Sequence, residues 1–117
     1  MSENVIWTVE GTIKTGQREE LLALMREMIA SVEAEAGTLN YEWTLGEDGS
    51  SLHVYERYRD DAAVVAHLGT WARFAGRFTA NVEITRFVVF SELSPALRET
   101  VAVMNPIYMR PIGGITR

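Results

Sequence analysis

Two side chains near the middle of this sequence could move protons. Glu56 belongs to a run of otherwise apolar and aromatic residues, and His67 follows it in a stretch with helical periodicity. A carboxylate in an apolar pocket has a raised pKa and can act as a base. A histidine with a pKa near 6.5 can shuttle a proton or donate one to a substrate oxygen. The pair would therefore suit proton abstraction from a phenol-like substrate.

Each of these residues also has a purely structural explanation, which the sequence leaves open. Glu56 would then be held by Arg86 or by backbone donors, and His67 would lie at a seam between helix and sheet. The aromatic residues at helical spacing from His67 would form core packing instead of a binding site. These residues are Trp71, Phe74 and Phe78.

The sequence lacks the other common patterns that carry chemistry. It has no cysteine, which excludes disulfide frameworks, thiolate nucleophiles, iron–sulfur clusters and cysteine zinc sites. Its two histidines, His53 and His67, do not have the spacing of a metal cluster, and Gly113-Gly114 is not followed by the helix of a phosphate-binding loop. We therefore expect neither a metal nor a cofactor. If the protein does redox chemistry, its substrate must supply the electrons.

Length and charge limit the class of protein further. A chain of 117 residues suits one domain, and its net charge of −5 argues against a nucleic-acid partner. No apolar run approaches the 18 residues of a membrane span, and residues 1–4 lack the features of a signal peptide. We therefore expect a cytoplasmic protein that does not bind membranes.

Hydrophobic periodicity predicts the elements that must position Glu56 and His67. A strand rich in β-branched residues is predicted over 5–14, and an amphipathic helix over 18–36 with Gly37 in the C′ position. Residues 38–46 alternate between apolar and polar, and 52–58 return after an Asp-Gly turn, which indicates a hairpin.

The second half of the chain repeats the pattern of helix and strand. A helix is predicted over 61–81, with an interruption at Gly69, followed by a strand over 84–92. Residues 1–94 would form the domain. Residues 95–117 would form a short helix and an apolar tail that packs on the domain or on a dimer partner.

The β-α-β-β-α-β order predicts an α+β fold, the ferredoxin-like split βαβ sandwich, with both helices on one face of an antiparallel sheet. The other face would be uncovered in a monomer, and we expect it to carry Trp7 or Tyr41, depending on the register. An uncovered apolar face implies a partner, and a homodimer with its sheets face to face, a dimeric α/β barrel, is the simplest solution. The register also decides which face carries Glu56.

The stretch from Ala36 to Phe74 resembles the antibiotic biosynthesis monooxygenase family. With the first strand and helix, the likeness covers roughly residues 4–92. The residues that carry it are Gly37, Tyr41, the Tyr55-Glu56-Arg57-Tyr58 run, Asp60-Asp61-Ala62 and His67-Leu68.

The resemblance implies a dimeric α+β barrel with a pocket between sheet and helices, and oxidation of phenols or quinols by O₂ without flavin, metal or haem. Glu56 and His67 match the family pattern, and either would accept the proton. The remaining roles are our own inference: Arg86 or Asn40 would stabilise an oxyanion, and aromatic residues would shape the pocket. A non-catalytic small-molecule-binding or accessory dimeric module would resemble the family equally well. The proposed pocket residues are Trp43, Tyr55, Trp71 and Phe74.

Overall fold

The computed structural model describes residues 3–117, which form one sheet with helices packed against it. Four strands are antiparallel to their neighbours, and a fifth, from the tail, is a short parallel strand at the edge. The predicted α+β fold and its β-α-β-β-α-β order are confirmed, whereas the fifth strand was not expected. The elements are β1 (Val5–Ile13), α1 (Arg18–Glu33), β2 (Thr38–Leu45), β3 (Ser51–Tyr58), α2 (Asp61–Asn81), β4 (Val82–Val89), α3 (Pro95–Val101), a 3₁₀ turn (Ala102–Met104) and β5 (Ile107–Tyr108).

The sheet order is β2-β3-β1-β4-β5, so β3 lies between β1 and β2. Glu56 therefore has two cross-strand partners, Trp7 on β1 and Tyr41 on β2. Residues that face each other across strands point to the same side of the sheet. All three side chains lie on the helix-covered face. The expectation that the uncovered face carries Trp7 or Tyr41 is wrong, and Trp7 is only 2% exposed.

The helix α2 runs without a break from Asp61 to Asn81. Its N-terminus is capped by Asp60, whose carboxylate accepts a hydrogen bond from the backbone N–H of Ala63 at 3.0 Å. The predicted interruption at Gly69 is wrong. A glycine costs a helix only about 1 kcal/mol, and burial of the apolar face of a helix this long outweighs that cost.

The helix α1 ends at Glu33, earlier than predicted, and Gly37 is not its C′ residue. Gly37 does not have the positive φ that this position takes. The glycine is needed here for steric reasons, because a Cβ on Gly37 would lie 2.4 Å from the Cβ of Ala63. The loop after α1 can therefore approach the first turn of α2 closely.

The C-terminal segment belongs to the same core as the sheet. Leu97 and Val101 of α3 are buried in a cluster with Val5, Trp7 and Phe87. Among the residues described, no helix has the length and apolar character needed to cross a bilayer. Large apolar side chains that remain exposed in this segment include Val103, Ile107, Met109, Ile112 and Ile115.

Candidate functional site

A small cavity of about 30 Å³ lies between the helix-covered face of the sheet and α2. Its wall is almost entirely apolar and aromatic, and Glu56 and His67 are the acid–base groups in it. Met104, from the 3₁₀ turn after α3, also reaches it, so the C-terminal segment contributes to the wall. The lining residues are Trp7, Val9, Met28, Tyr41, Trp43, Val54, Glu56, His67, Leu68, Trp71, Phe78, Ile84 and Met104.

Glu56 and His67 are in direct contact at this cavity. The Nε2 atom of His67 lies 3.3 Å from Oε1 of Glu56, and the two residues are only 4% and 5% exposed, respectively. Glu56 reaches the site from β3 because the register of the sheet turns it toward the helices. His67 reaches it from α2, one turn after Ala63.

A second carboxylate, Glu35, binds the other side of the imidazole. Its Oε1 lies 3.0 Å from Nδ1 of His67 and also accepts a hydrogen bond from the Thr38 hydroxyl at 2.7 Å. The sequence places Glu35 among the polar residues at the end of the first helix, and its periodicity gives no sign of this contact. The pairing depends on how the loop after α1 packs against α2, which is a tertiary relationship.

Two tyrosines complete the polar part of the site. The Tyr58 hydroxyl donates a short hydrogen bond to Oε1 of Glu56, and the Tyr41 ring packs edge-on against the His67 ring, with the centroids 5.5 Å apart. Burial, and then the charge of Glu56, raise the pKa of both phenols. Both tyrosines therefore remain protonated across the physiological pH range, and Tyr58 acts as a hydrogen-bond donor to Glu56.

Opposing effects act on the pKa of His67. Burial lowers this pKa, but the hydrogen bonds and negative charges of Glu56 and Glu35 together outweigh burial, so the pKa is raised above its ordinary value of 6.5. The imidazolium form is therefore stabilised between the two carboxylates. Such a site can accept a proton and hold it in the protein interior.

The predicted aromatic residues of the pocket divide into two groups. Trp43 and Trp71 line the cavity, whereas Phe74 packs half-buried against the neighbouring apolar cluster, with the Arg73 guanidinium 5.7 Å from its ring centre. The Nε1 atom of Trp43 is buried and has no hydrogen-bond partner among the described residues. The cavity wall therefore includes an indole N–H that makes no hydrogen bond of normal geometry with a described residue and that lies near the Tyr41 hydroxyl, whose pKa it lowers.

Asn40, Tyr55 and Arg86 lie on the opposite face of the sheet, away from the cavity. Asn40 accepts a hydrogen bond from Arg57 at 2.7 Å, and Arg86 pairs with Glu10 at 3.3 Å. Contrary to expectation, these three residues do not line the site. The structural explanation in which Arg86 satisfies Glu56 is also wrong. Side chains alternate along a strand, so Tyr55 and Glu56 must point to opposite faces.

Residues 3–117 contain no group of three or more histidine, cysteine, aspartate or glutamate side chains arranged to hold a metal ion. Glu35 and Glu56 bind opposite ring nitrogens of His67, so their oxygens do not converge on one point. His53, which faces the other side of the sheet, is not part of this group.

Comparison with known proteins identifies relatives in sequence and in structure. A protein of Mycobacterium tuberculosis named "Putative monooxygenase Rv0793" is 33% identical over 78 residues, which cover 67% of this chain and 77% of that protein. MupZ from Pseudomonas fluorescens has the same fold, with a TM-score of 0.90 at 22% identity, covering 100% of this chain and 91% of its own. SnoaB from Streptomyces nogalater, described as a cofactor-independent oxygenase, has a TM-score of 0.68 at 14% identity, covering 80% of this chain and 96% of its own.

A sequence match to a family covers more of the chain than the 78 residues shared with Rv0793. The family model described as antibiotic biosynthesis monooxygenase matches residues 5–88, from the first strand to the fourth. That range includes Glu35, Glu56 and His67, and most of the cavity wall. The chain therefore belongs to the antibiotic biosynthesis monooxygenase family.

Proposed function

We propose that this protein is a cofactor-independent monooxygenase that oxidises a small, electron-rich aromatic compound, such as a phenol or quinol, with O₂. The observation that carries the proposal is the contact between Glu56 and His67, with Oε1 and Nε2 3.3 Å apart, in an otherwise apolar, aromatic cavity. The description of SnoaB as an oxygenase is consistent with it, although a likeness at this identity concerns the fold alone.

The reaction balances without an external reductant. A phenol with a free para carbon reacts with one O₂ to give a para-quinone and one water, and the substrate supplies all four electrons. The Glu56–His67 pair takes the phenolic proton, and the electron-rich phenolate transfers an electron to O₂. The two radicals combine through a new C–O bond, and loss of the para proton with cleavage of the O–O bond releases water. The protein supplies the base, the orientation and the apolar surroundings.

The Trp43 indole would act on the oxygen that becomes negative. Its buried Nε1–H has no partner among the described residues and belongs to a side chain of the cavity wall. A donor held in an apolar site stabilises a developing oxyanion more strongly than the same donor in water. We assign to Trp43 the role that the sequence suggested for Arg86 or Asn40.

The cavity must enlarge to admit such a substrate. A cavity that holds benzene has on the order of 150 Å³, whereas this one has about 30 Å³. Leu68 and Met104 line it and are only half-buried. Their flexible side chains are the ones that we expect to move when a ring enters.

The test is O₂ consumption with a panel of phenols, among them 1-naphthol, and with their methyl ethers, which have no acidic proton. We expect turnover of at least one free phenol and none of its ether, with one labelled oxygen from ¹⁸O₂ in the quinone. Glu56→Gln should lower the rate about 100-fold or more. The exposed Glu33→Gln variant is the matched control and should keep the wild-type rate.

A second candidate function is a non-catalytic small-molecule-binding or accessory module, favoured by the structural pairing of Glu56 with Tyr58 and His67. Thermal stabilisation by a phenol without O₂ uptake at any pH would support this function and remove the oxygenase proposal. The absence of both stabilisation and turnover across the panel would remove both functions for these compounds.

We also propose that a second copy of the chain packs on the face of the sheet opposite the helices. That face carries the half-buried Ile6 beside paired charges such as Arg86 with Glu10, a mixture typical of an interface. Sedimentation equilibrium should give a dimer at micromolar concentration. A species of monomer mass at that concentration would contradict the proposal.

A further inference from the structure

We propose that Glu35 is a positioning residue of this site: it fixes the ring orientation and the tautomer of His67, so that Nε2 faces Glu56 and the cavity. The consequence of this positioning for catalysis rests on the proposed function. Its effect on the imidazole does not depend on that function and can be measured separately.

The contact between Glu35 and His67 determines which nitrogen carries the proton. Oε1 of Glu35 lies 3.0 Å from Nδ1, and the two side chains are only 10% and 6% exposed. A carboxylate accepts hydrogen bonds, so Glu35 favours a proton on Nδ1 and Glu56 favours one on Nε2. The Glu35 contact is the shorter of the two, 3.0 Å against 3.3 Å, so we infer that the proton of the neutral ring lies on Nδ1. In the neutral imidazole the free lone pair is then on Nε2, which is the nitrogen near Glu56.

Glu35 is itself held in place, as a positioning residue must be. The Thr38 hydroxyl donates to the same Oε1 at 2.7 Å, and the backbone N–H of Glu35 donates to the Val32 carbonyl at 2.8 Å. The close approach of Gly37 to Ala63 fixes the loop against α2. The carboxylate therefore meets the imidazole in one defined geometry.

The negative charge of Glu35 is one of only two charges, among the described groups facing His67, that favour the protonated imidazole. The groups that face the imidazole are Glu35 from the loop after α1, Glu56 and Tyr58 from β3, and Tyr41 from β2. The two tyrosines remain neutral, so the two carboxylates are the charges that favour a protonated ring. Oε2 of Glu35 is buried without a partner among residues 3–117, so within this part of the chain the carboxylate makes its hydrogen bonds through Oε1.

The test combines NMR of the His67 ring nitrogens with one isosteric variant. In the wild type, the ¹⁵N shifts of the neutral ring should identify the Nδ1–H tautomer. In Glu35→Gln, the pKa of His67 should fall by about 1 unit or more, because an opposite charge at contact distance is lost. Glu33→Gln removes an exposed carboxylate at the end of α1 and should leave both readouts unchanged.

Either of two NMR results would overturn the proposal: an Nε2–H tautomer in the wild type, or an unchanged His67 pKa in Glu35→Gln. Glu35→Asp keeps the charge and should keep most of the raised pKa, which provides a second variant if Glu35→Gln does not fold. The wild-type tautomer needs no variant at all.

Activity measurements separate this proposal from the proposed function. If the protein oxidises phenols, Glu35→Gln should lower kcat about 10-fold or more, shift the pH profile and leave KM nearly unchanged. Loss of the raised pKa in a protein without oxygenase activity would uphold the positioning role and remove only the proposed function. Normal kcat and pH profile in an active Glu35→Gln enzyme would remove the catalytic part of this inference.

Discussion

Gly37 and Ala63 meet where the loop after α1 crosses the first turn of α2, and a Cβ on Gly37 would lie 2.4 Å from that of Ala63. Glu35 lies two residues before this contact, and His67 lies one helical turn after it. The close approach of the two backbones therefore places the Glu35 carboxylate against the imidazole. A glycine outside the cavity helps to set the geometry of the site.

We predict that Gly37→Ala destabilises the protein by about 1 to 3 kcal/mol, because the added methyl group overlaps Ala63. Urea unfolding measures the change in the free energy of unfolding. The double variant Gly37→Ala/Ala63→Gly should recover part of the loss. Gly69→Ala is the control, since Gly69 is an exposed helical glycine and no described residue lies within 4 Å of an added Cβ. This variant should be more stable by about 0.5 to 1 kcal/mol. Equal effects of the two alanine substitutions would refute the steric explanation.

The stability of the protein should depend on pH through His67. Its pKa is raised in the fold above the ordinary 6.5, so the folded state binds this proton more tightly than the unfolded state. The stabilisation is complete below pH 6.5 and is lost as the pH rises through the raised value. Unfolding measured from pH 6 to 9 should show this decline in the wild type. The prediction fails if His67→Gln declines just as steeply.

Tyr58→Phe should destabilise the protein by about 1 to 3 kcal/mol, because it leaves the buried Glu56 carboxylate without its hydroxyl donor. The ring is retained, so apolar packing with Trp7 is kept. Thermal or urea unfolding measures the loss. Tyr55→Phe provides the comparison on the uncovered face and should change stability by less than about 0.5 kcal/mol. A Tyr58→Phe variant as stable as Tyr55→Phe would show that the bond adds no net stability.

Met104→Ala should widen the cavity at the wall that the C-terminal segment supplies. Met104 is half-buried there, so we expect a stability loss of about 1 to 3 kcal/mol together with stronger thermal stabilisation by bicyclic phenols than in the wild type. Val103→Ala changes the exposed neighbour of Met104 and serves as the control. If neither variant alters the response to bicyclic phenols, Met104 does not limit the size of the ligand.

The secondary structure followed from local patterns to within a few residues. The alternation in β3 and the helical spacing around His67 depend only on neighbouring residues, and both survive in the structure. The errors have a common origin in tertiary packing. Gly69 does not break α2 because the apolar face of the helix is buried or half-buried on both sides of it. Gly37 marks a contact between two elements and not the end of α1.

The sequence predicts less of the candidate site than of the fold. The sequence points to Glu56 and His67 as candidates for proton transfer because each is an ionisable residue within an apolar segment. The chemistry of Arg86 and Asn40 suits an oxyanion, but the register of their strands turns both to the other face of the sheet. Nothing in the sequence points to Glu35, because its polar neighbours resemble those of any solvated helix end.

By itself, the sequence determined the order of the elements, the family pattern, and the two residues most suited to proton transfer. Each of these depends on periodicity or on residue type over short stretches of chain. The tertiary structure decided which face of the sheet carries Glu56, that Glu35 holds the far side of His67, and that Met104 closes the cavity. These relationships join residues far apart in the chain. A one-residue change in register would reverse the face that carries Glu56 without altering any local pattern.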